Sequence, residues 1–124
     1  MKTWIHRWGP AILVMAIIFI ASSTPGSEVP GFGVGDFVVK KGGHMLGYAL
    51  LAAAFYHALT IRQGSTKHRF ALAICLSILY AASDEWHQRF TPGRTASIVD
   101  VGIDAAGSLL GAAMLRWKQK RPAI

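Results

Sequence analysis

Residues 98–115 read IVDVGIDAAGSLLGAAML, eighteen residues that are apolar apart from Asp100, Asp104 and Ser108. A helix needs about 20 mainly apolar residues to cross a bilayer, with about 17 as the lower limit. This stretch meets that requirement while carrying two carboxylates one helical turn apart on the same face. An aspartate at the centre of such a helix costs on the order of 2.5–3.5 kcal/mol, and less near the interface. Two of them are tolerated only when they face other helices or a wet cavity. The stretch therefore predicts both a membrane and helical neighbours within it.

Neighbours are available. Further apolar stretches run over residues 10–22, 43–61 and 70–83. The second is long enough to span. The first and third borrow flanking residues, Trp4 to Trp8 and Asp84 to Trp86, and a re-entrant third segment stays open as an alternative. Each stretch is apolar nearly all round, without the polar face of a soluble amphipathic helix. With 52% hydrophobic and 15% charged residues in 124, a soluble chain of this size could not bury its apolar surface. The expectation is an all-α membrane protein: one domain over residues 1–124, a four-transmembrane-helix bundle with helices at about 8–24, 43–61, 69–86 and 97–116. The Gly- and Pro-rich residues 24–35 read as a connection built of turns. Cys75 sits within an apolar run and has no cysteine to pair with.

The charges set the orientation. Lys2 and Arg7 precede the first stretch, Arg62, Lys67 and Arg69 separate the second from the third, and Arg116, Lys118, Lys120 and Arg121 follow the fourth. No acid accompanies these nine cations. The remaining regions hold Lys40, Lys41, Arg89 and Arg94 with all six acids, which accounts for the net charge of +7. The positive-inside rule then places both termini and the Arg62–Arg69 loop in the cytoplasm (N-in/C-in) of a multi-pass membrane protein. The basic clusters read as topology determinants and anionic-lipid contacts, not as a nucleic-acid surface. A cleaved signal peptide is the competing reading of the first stretch, with Ala11–Ala21 as its apolar region. Its fit to a small-x-small cleavage site at Ala21-Ser22-Ser23 is poor.

Placed by depth, the polar residues converge. His44 is expected in the first turn of the second helix with Tyr48 one turn deeper. Tyr80, Asp84 and His87 or Gln88 share a face at the end of the third. Asp100 and Asp104 open the fourth. His44, Asp84, Glu85, Arg94, Asp100 and Asp104 thus reach one level, the extracytoplasmic end, where a shared polar pocket with His44 at its rim is expected. A purely structural network locking the helices together is the bland reading of the same set. Gly107 and Gly111 lie on the aspartate stripe as G-x-x-x-G, which permits close backbone approach. Packing within the chain is its expected use and dimerisation the alternative; the sequence leaves the oligomer undecided. Trp4, Trp86 and Trp117 suit the interfacial aromatic belt.

Four blocks carry a resemblance: Ser22-Ser23-Thr24-Pro25; Lys41-x-x-His44-x-x-x-Tyr48-x-x-Leu51; Ser83-Asp84-Glu85-x-x-Gln88-x-Phe90-x-Pro92-Gly93-Arg94; and Asp100-x-x-x-Asp104-x-x-Gly107-x-x-x-Gly111. Together they resemble the VanZ-like family of small bacterial membrane proteins, from about Ser22 to Gly111. Lys40 departs from the pattern, since members often have an acid before the lysine. The resemblance implies a cell-envelope protein of the bacterial cytoplasmic membrane, linked by the family's name to antibiotic resistance against the glycopeptide teicoplanin, and it reveals no reaction.

Three functions are weighed. In the first, the protein binds or modulates an envelope lipid, or a lipid-linked wall precursor, at the outer leaflet. Lys41, His44, Tyr48, Asp84, Glu85, Gln88, Arg94, Asp100 and Asp104 would form the site, with Arg94 as a planar clamp for phosphate. In the second, it is a membrane enzyme acting on a lipid, with His44, Asp84, Glu85 and Asp104 as the catalytic candidates. A divalent metal such as Mg²⁺ is the cofactor such oxygen ligands would suit, although no ligand spacing of a recognised metal site is present. The third, a transporter, finds little support in four short helices without a repeat.

Overall fold

The computed structural model describes residues 2–23, 36–59, 66–90 and 98–120, without the side chains of 2–3, 36–41 and 119–120. Four helices account for nearly all of these residues: α1 (Lys2–Ser23), α2 (Asp36–Leu59), α3 (Thr66–Gln88) and α4 (Ile98–Lys120). The expected turn-rich connection at 24–35 falls outside them, and so does Arg94. The apolar stretches are helical wherever they are described, and α1, α2 and α3 begin earlier than their apolar runs. Helix α1 continues through Pro10, where a proline forfeits its own backbone N–H bond without ending the helix. Helix α2 begins at Asp36, so His44 lies more than two turns inside it and not in its first turn.

Helix α2 is the central element, packed against α1, α3 and most extensively α4. Its buried face includes Tyr48, Leu51, Phe55 and Tyr56. The seam with α4 is close because two glycines make it so. A Cβ on Gly107 would meet the backbone of Met45, and one on Gly111 would stand 2.5 Å from the carbonyl carbon of Ala49 and 2.6 Å from its Cα. The G-x-x-x-G stripe is therefore used within the chain. Helix α3 completes the packing against α2 and α4, and α1 lies across α2 and α3.

The distribution of side chains is inverted relative to a soluble bundle. Asp84, Glu85, Gln88, Asp104, Ser77 and Ser108 are buried, whereas Leu13, Ile17, Leu46, Leu79, Leu110 and Met114 are exposed. Two helices, over Trp4–Ser23 and Ile98–Lys118, are long and apolar enough to cross a membrane. Helix α1 qualifies because it extends beyond the run at 10–22. Helix α2 was expected to qualify over 43–61. Over its described residues it falls short, since His44, Tyr48, Tyr56 and His57 lower its mean hydropathy; the last two residues of the expected span, 60 and 61, lie outside the described residues.

Hydrogen bonds tie the helices together along their length. Near the middle of the bundle Ser77 Oγ and Ser108 Oγ are 2.6 Å apart, and Ser108 donates its single hydrogen to the Asp104 carbonyl at 2.9 Å. Ser77 must then be the donor to Ser108. At the end formed by the N-terminus of α1 and the C-terminus of α2, Arg7 Nε donates to the Ala58 carbonyl at 2.9 Å.

Candidate functional site

The opposite end is where α1 and α3 finish and α2 and α4 begin. Among the described residues, five polar side chains there are at least nine-tenths buried: Ser22 with 1% exposure, Asp84 and Glu85 with 4% and 6%, Gln88 with 4% and Asp104 with none. Local periodicity explains the α3 members. Asp84 and Gln88 are one turn apart on the face that meets α1 and the core, and Glu85 adjoins them. On α4, Asp104 points inward beside Gly107 and Ser108, the residues that meet α2 and α3.

His44 and Asp104 face each other across the α2–α4 seam, with Nδ1 3.4 Å from Oδ1. That separation is an ion-pair distance longer than a good hydrogen bond. The imidazole keeps 28% of its side chain exposed while the carboxylate is sealed, so His44 forms the rim and Asp104 the floor. Asp84 and Glu85 act on His44 electrostatically as well, and Asp84 and Asp100 act on Asp104. The Tyr48 ring stacks one turn below His44, centroids 6.2 Å apart, and stands 6.3 Å from Tyr80. The Tyr48 hydroxyl lies within the fields of both Asp84 and Asp104.

A second layer orients Asp84. Gln88 Nε2 donates to Asp84 Oδ2 at 3.2 Å and to Ser22 Oγ at 3.3 Å, so both amide hydrogens are used. Ser23 Oγ and His87 Nε2 are 3.0 Å apart, and Tyr80 O–H donates to the Met15 carbonyl at 2.6 Å. The Ser22-Ser23 step that ends α1 is thus its docking point on α3.

The hydrogen-bond balance of the cluster is uneven. Among the described residues, Asp84 Oδ1 and both Asp104 carboxylate oxygens are buried without a hydrogen-bond donor, and the Tyr48 hydroxyl is buried without an acceptor. Tyr48 O–H and the His44 ring N–H could fill two of those three oxygens after a small shift. At least one acceptor remains, in surroundings where an unmet polar group costs about 1–3 kcal/mol. The arrangement can therefore receive hydrogen-bond donors or positive charge from outside the described residues. It does not form a compact metal cage: among the described residues no three His, Cys, Asp or Glu side chains come together as ligands.

A family model described as VanZ/LLP1 matches residues 8–119. The chain belongs to the VanZ/LLP1 family. No curated protein and no solved structure gives a significant match. VanZ/LLP1 membership, with two helices able to cross a bilayer, fits a membrane protein linked to the envelope or to glycopeptide resistance.

Of the residues singled out in the sequence, His44, Tyr48, Asp84, Glu85, Gln88 and Asp104 gather in this cluster. Asp100 lies in the first turn of α4, half-buried and in electrostatic contact with Asp104. Lys41 belongs to α2 without a described side chain, and Arg94 is outside the described residues. Sequence reasoning gave no role to Ser77 or Phe19. The signal for Ser77 was a hydroxyl deep in an apolar run; nothing in the sequence marks Phe19.

Proposed function

We propose that this VanZ/LLP1 protein spans the bacterial cytoplasmic membrane four times, with both termini inside. On this reading it binds or modulates an envelope lipid, or a lipid-linked wall precursor, at the outer leaflet. The observation that carries the reading is the donor shortfall around Asp84 and Asp104. Buried carboxylate oxygens without donors, reached past a half-exposed histidine, suit a headgroup rich in hydroxyl or amine hydrogens. The inverted bundle supports a lipid setting for all four helices, including α2 and α3, because their apolar side chains face outward and their polar ones inward. The bonds from α3 to Met15 and Ser22 support α1 as a permanent member of the bundle. Arg94 and Lys41, outside the described side chains, supply the phosphate-binding charge in this proposal. An effect on glycopeptide susceptibility would follow from occupancy of such a site on a wall precursor.

One observation favours a second reading. The His44–Asp104 pair places an accessible imidazole against a sealed carboxylate, the arrangement of an acid–base dyad in a lipid-directed enzyme. Native mass spectrometry of the purified chain in mild detergent tests the first reading. Retained phospholipid or polyprenyl phosphate, lost on Asp104→Asn or Arg94→Ala in a folded protein, is the expected result. Retention unaffected by either variant overturns it, and new products in a lipid-extract incubation favour the enzyme.

A further inference from the structure

A groove of about 240 Å³ opens between α1 and α3 at the same end of the bundle, beside the cluster but on its outer face. Three exposed aromatic rings wall it, Phe19 from α1, Trp86 from α3 and Phe90 in the turn that follows α3, and Tyr80 lines it as a fourth. The first three are more than half exposed, and Trp86 meets Phe90 edge to face at 5.8 Å. His87 stacks on Phe19 at 4.9 Å and is held by Ser23, which fixes the wall where the two helices meet. Asp84 also lines the groove, and its Oδ1 is the buried oxygen without a donor. The Gln88 amide cannot serve that oxygen, because its hydrogens already go to Asp84 Oδ2 and Ser22. Among the described residues the neighbouring Tyr48 hydroxyl, itself without a hydrogen-bond partner, is a competing donor and would have to shift to reach it.

Each ligand class can be weighed against this lining. An anion would meet the Asp84 carboxylate and the negative faces of the rings. A hydrocarbon would pack on the rings but leave Asp84 unmet. A quaternary ammonium would satisfy the rings but has no N–H for the buried oxygen. A primary ammonium does both: it attracts the ring faces through cation–π contact and gives Asp84 a charge-assisted hydrogen bond. We propose that this groove binds a primary ammonium group on a short alkyl arm, supplied by a lipid headgroup of the aminoethyl phosphate type. The lipid source rests on the function proposed above. The ammonium chemistry rests on the rings and Asp84 alone.

The full-length chain, reconstituted in nanodiscs of phosphatidylglycerol doped equally with phosphatidylethanolamine and phosphatidylcholine, provides the test. Lipids that stay bound after transfer to mild detergent are counted by native mass spectrometry. The expected result is roughly five- to tenfold enrichment of phosphatidylethanolamine over its bulk share, with none for phosphatidylcholine. Asp84→Asn and Trp86→Leu should each remove the preference in proteins whose helical content matches the parent. Trp86 is exposed, so that variant keeps the test decisive if Asp84→Asn fails to fold. Equal retention of all three lipids overturns the ammonium site while leaving lipid binding intact. Retention of no lipid, with soluble ethanolammonium still quenching or shifting Trp86 fluorescence in an Asp84-dependent way, supports the ammonium site and refutes its lipid source. A preference that survives both substitutions, or one for phosphatidylcholine, overturns the assignment to this groove.

Discussion

Replacing Gly111 with alanine should destabilise the bundle, and the structure sets the size of the effect. The new Cβ would stand 2.5 Å from the Ala49 carbonyl carbon and 2.6 Å from its Cα. Ordinary carbon contacts lie at about 3.5–4.0 Å, so the shortfall is about 1 Å against backbone that cannot rotate aside. Relief requires α2 and α4 to part along their most extensive interface. Overpacking of this kind costs about 1–3 kcal/mol, and the intrinsic helix preference of alanine returns up to about 1. A net loss of about 1–2 kcal/mol is expected, or roughly five- to thirtyfold in the folded-to-unfolded ratio. Gly102, on the same helix, is the internal control: a Cβ there meets nothing within 4 Å, so Gly102→Ala should be neutral or stabilising by up to about 1 kcal/mol. Unfolding by sodium dodecyl sulfate titration in mixed micelles, followed by fluorescence of the four tryptophans, reads both variants. If the two alanine variants agree within about 0.5 kcal/mol, the close α2–α4 seam does not exist and the His44–Asp104 pairing across it falls as well.

The remaining predictions address orientation and the polar groups. Reporter fusions after Gly64 and Ile124 should both read cytoplasmic and one after Pro30 external; an external reading at Ile124 would show that one helix does not span. Ser77→Ala and Ser108→Ala should show a coupling of about 0.6 kcal/mol in a double-mutant cycle, the average for such bonds inside membranes, and strict additivity would remove the bond between them. Asp104→Asn and His44→Ala should each change envelope-antibiotic sensitivity at unchanged membrane levels; a phenotype lost only on deleting Lys118–Arg121 would move the activity to the cytoplasmic surface.

Much of this was legible in the sequence because the membrane makes polarity expensive. Asp104 inside an apolar run had to face protein, as it does, while Asp100 one turn nearer the end is only half-buried, and the glycine stripe beside them marked the close neighbour. Helix ends were less legible. Gly42, Gly43 and the lysines before them break the apolar run of α2, yet helical hydrogen bonding runs back to Asp36, because a helix satisfies its own backbone whatever its side chains. The pairing of Ser77 with Ser108 depends on the vertical register of α3 against α4, which neither helix encodes alone. Phe19 joins Trp86 only through the rotation of α1 against α3, fixed by the small contacts of Met15, Ser22 and Ser23.

The placement of the polar cluster at one end, and not at mid-depth, follows from the same energetics. The serine pair at the centre of the bundle is neutral and complete, with Ser77 donating to Ser108 and Ser108 to the Asp104 carbonyl. Nothing there calls for a ligand. One turn nearer the end the groups become ionisable and their bonds incomplete, at Asp104, Tyr48 and Asp84. A network whose only task was to lock helices would be complete throughout, since each unmet acceptor works against the fold it is meant to hold. Among the described residues the cluster's unmet atoms lie beside His44, which is partly exposed, and beside the groove that Asp84 lines. Stability is thus assigned to the glycine seam and the serine pair. Among the described residues the carboxylates keep acceptors to spare, which the proposed ligand, or the charged side chains of Lys41 and Arg94, would meet.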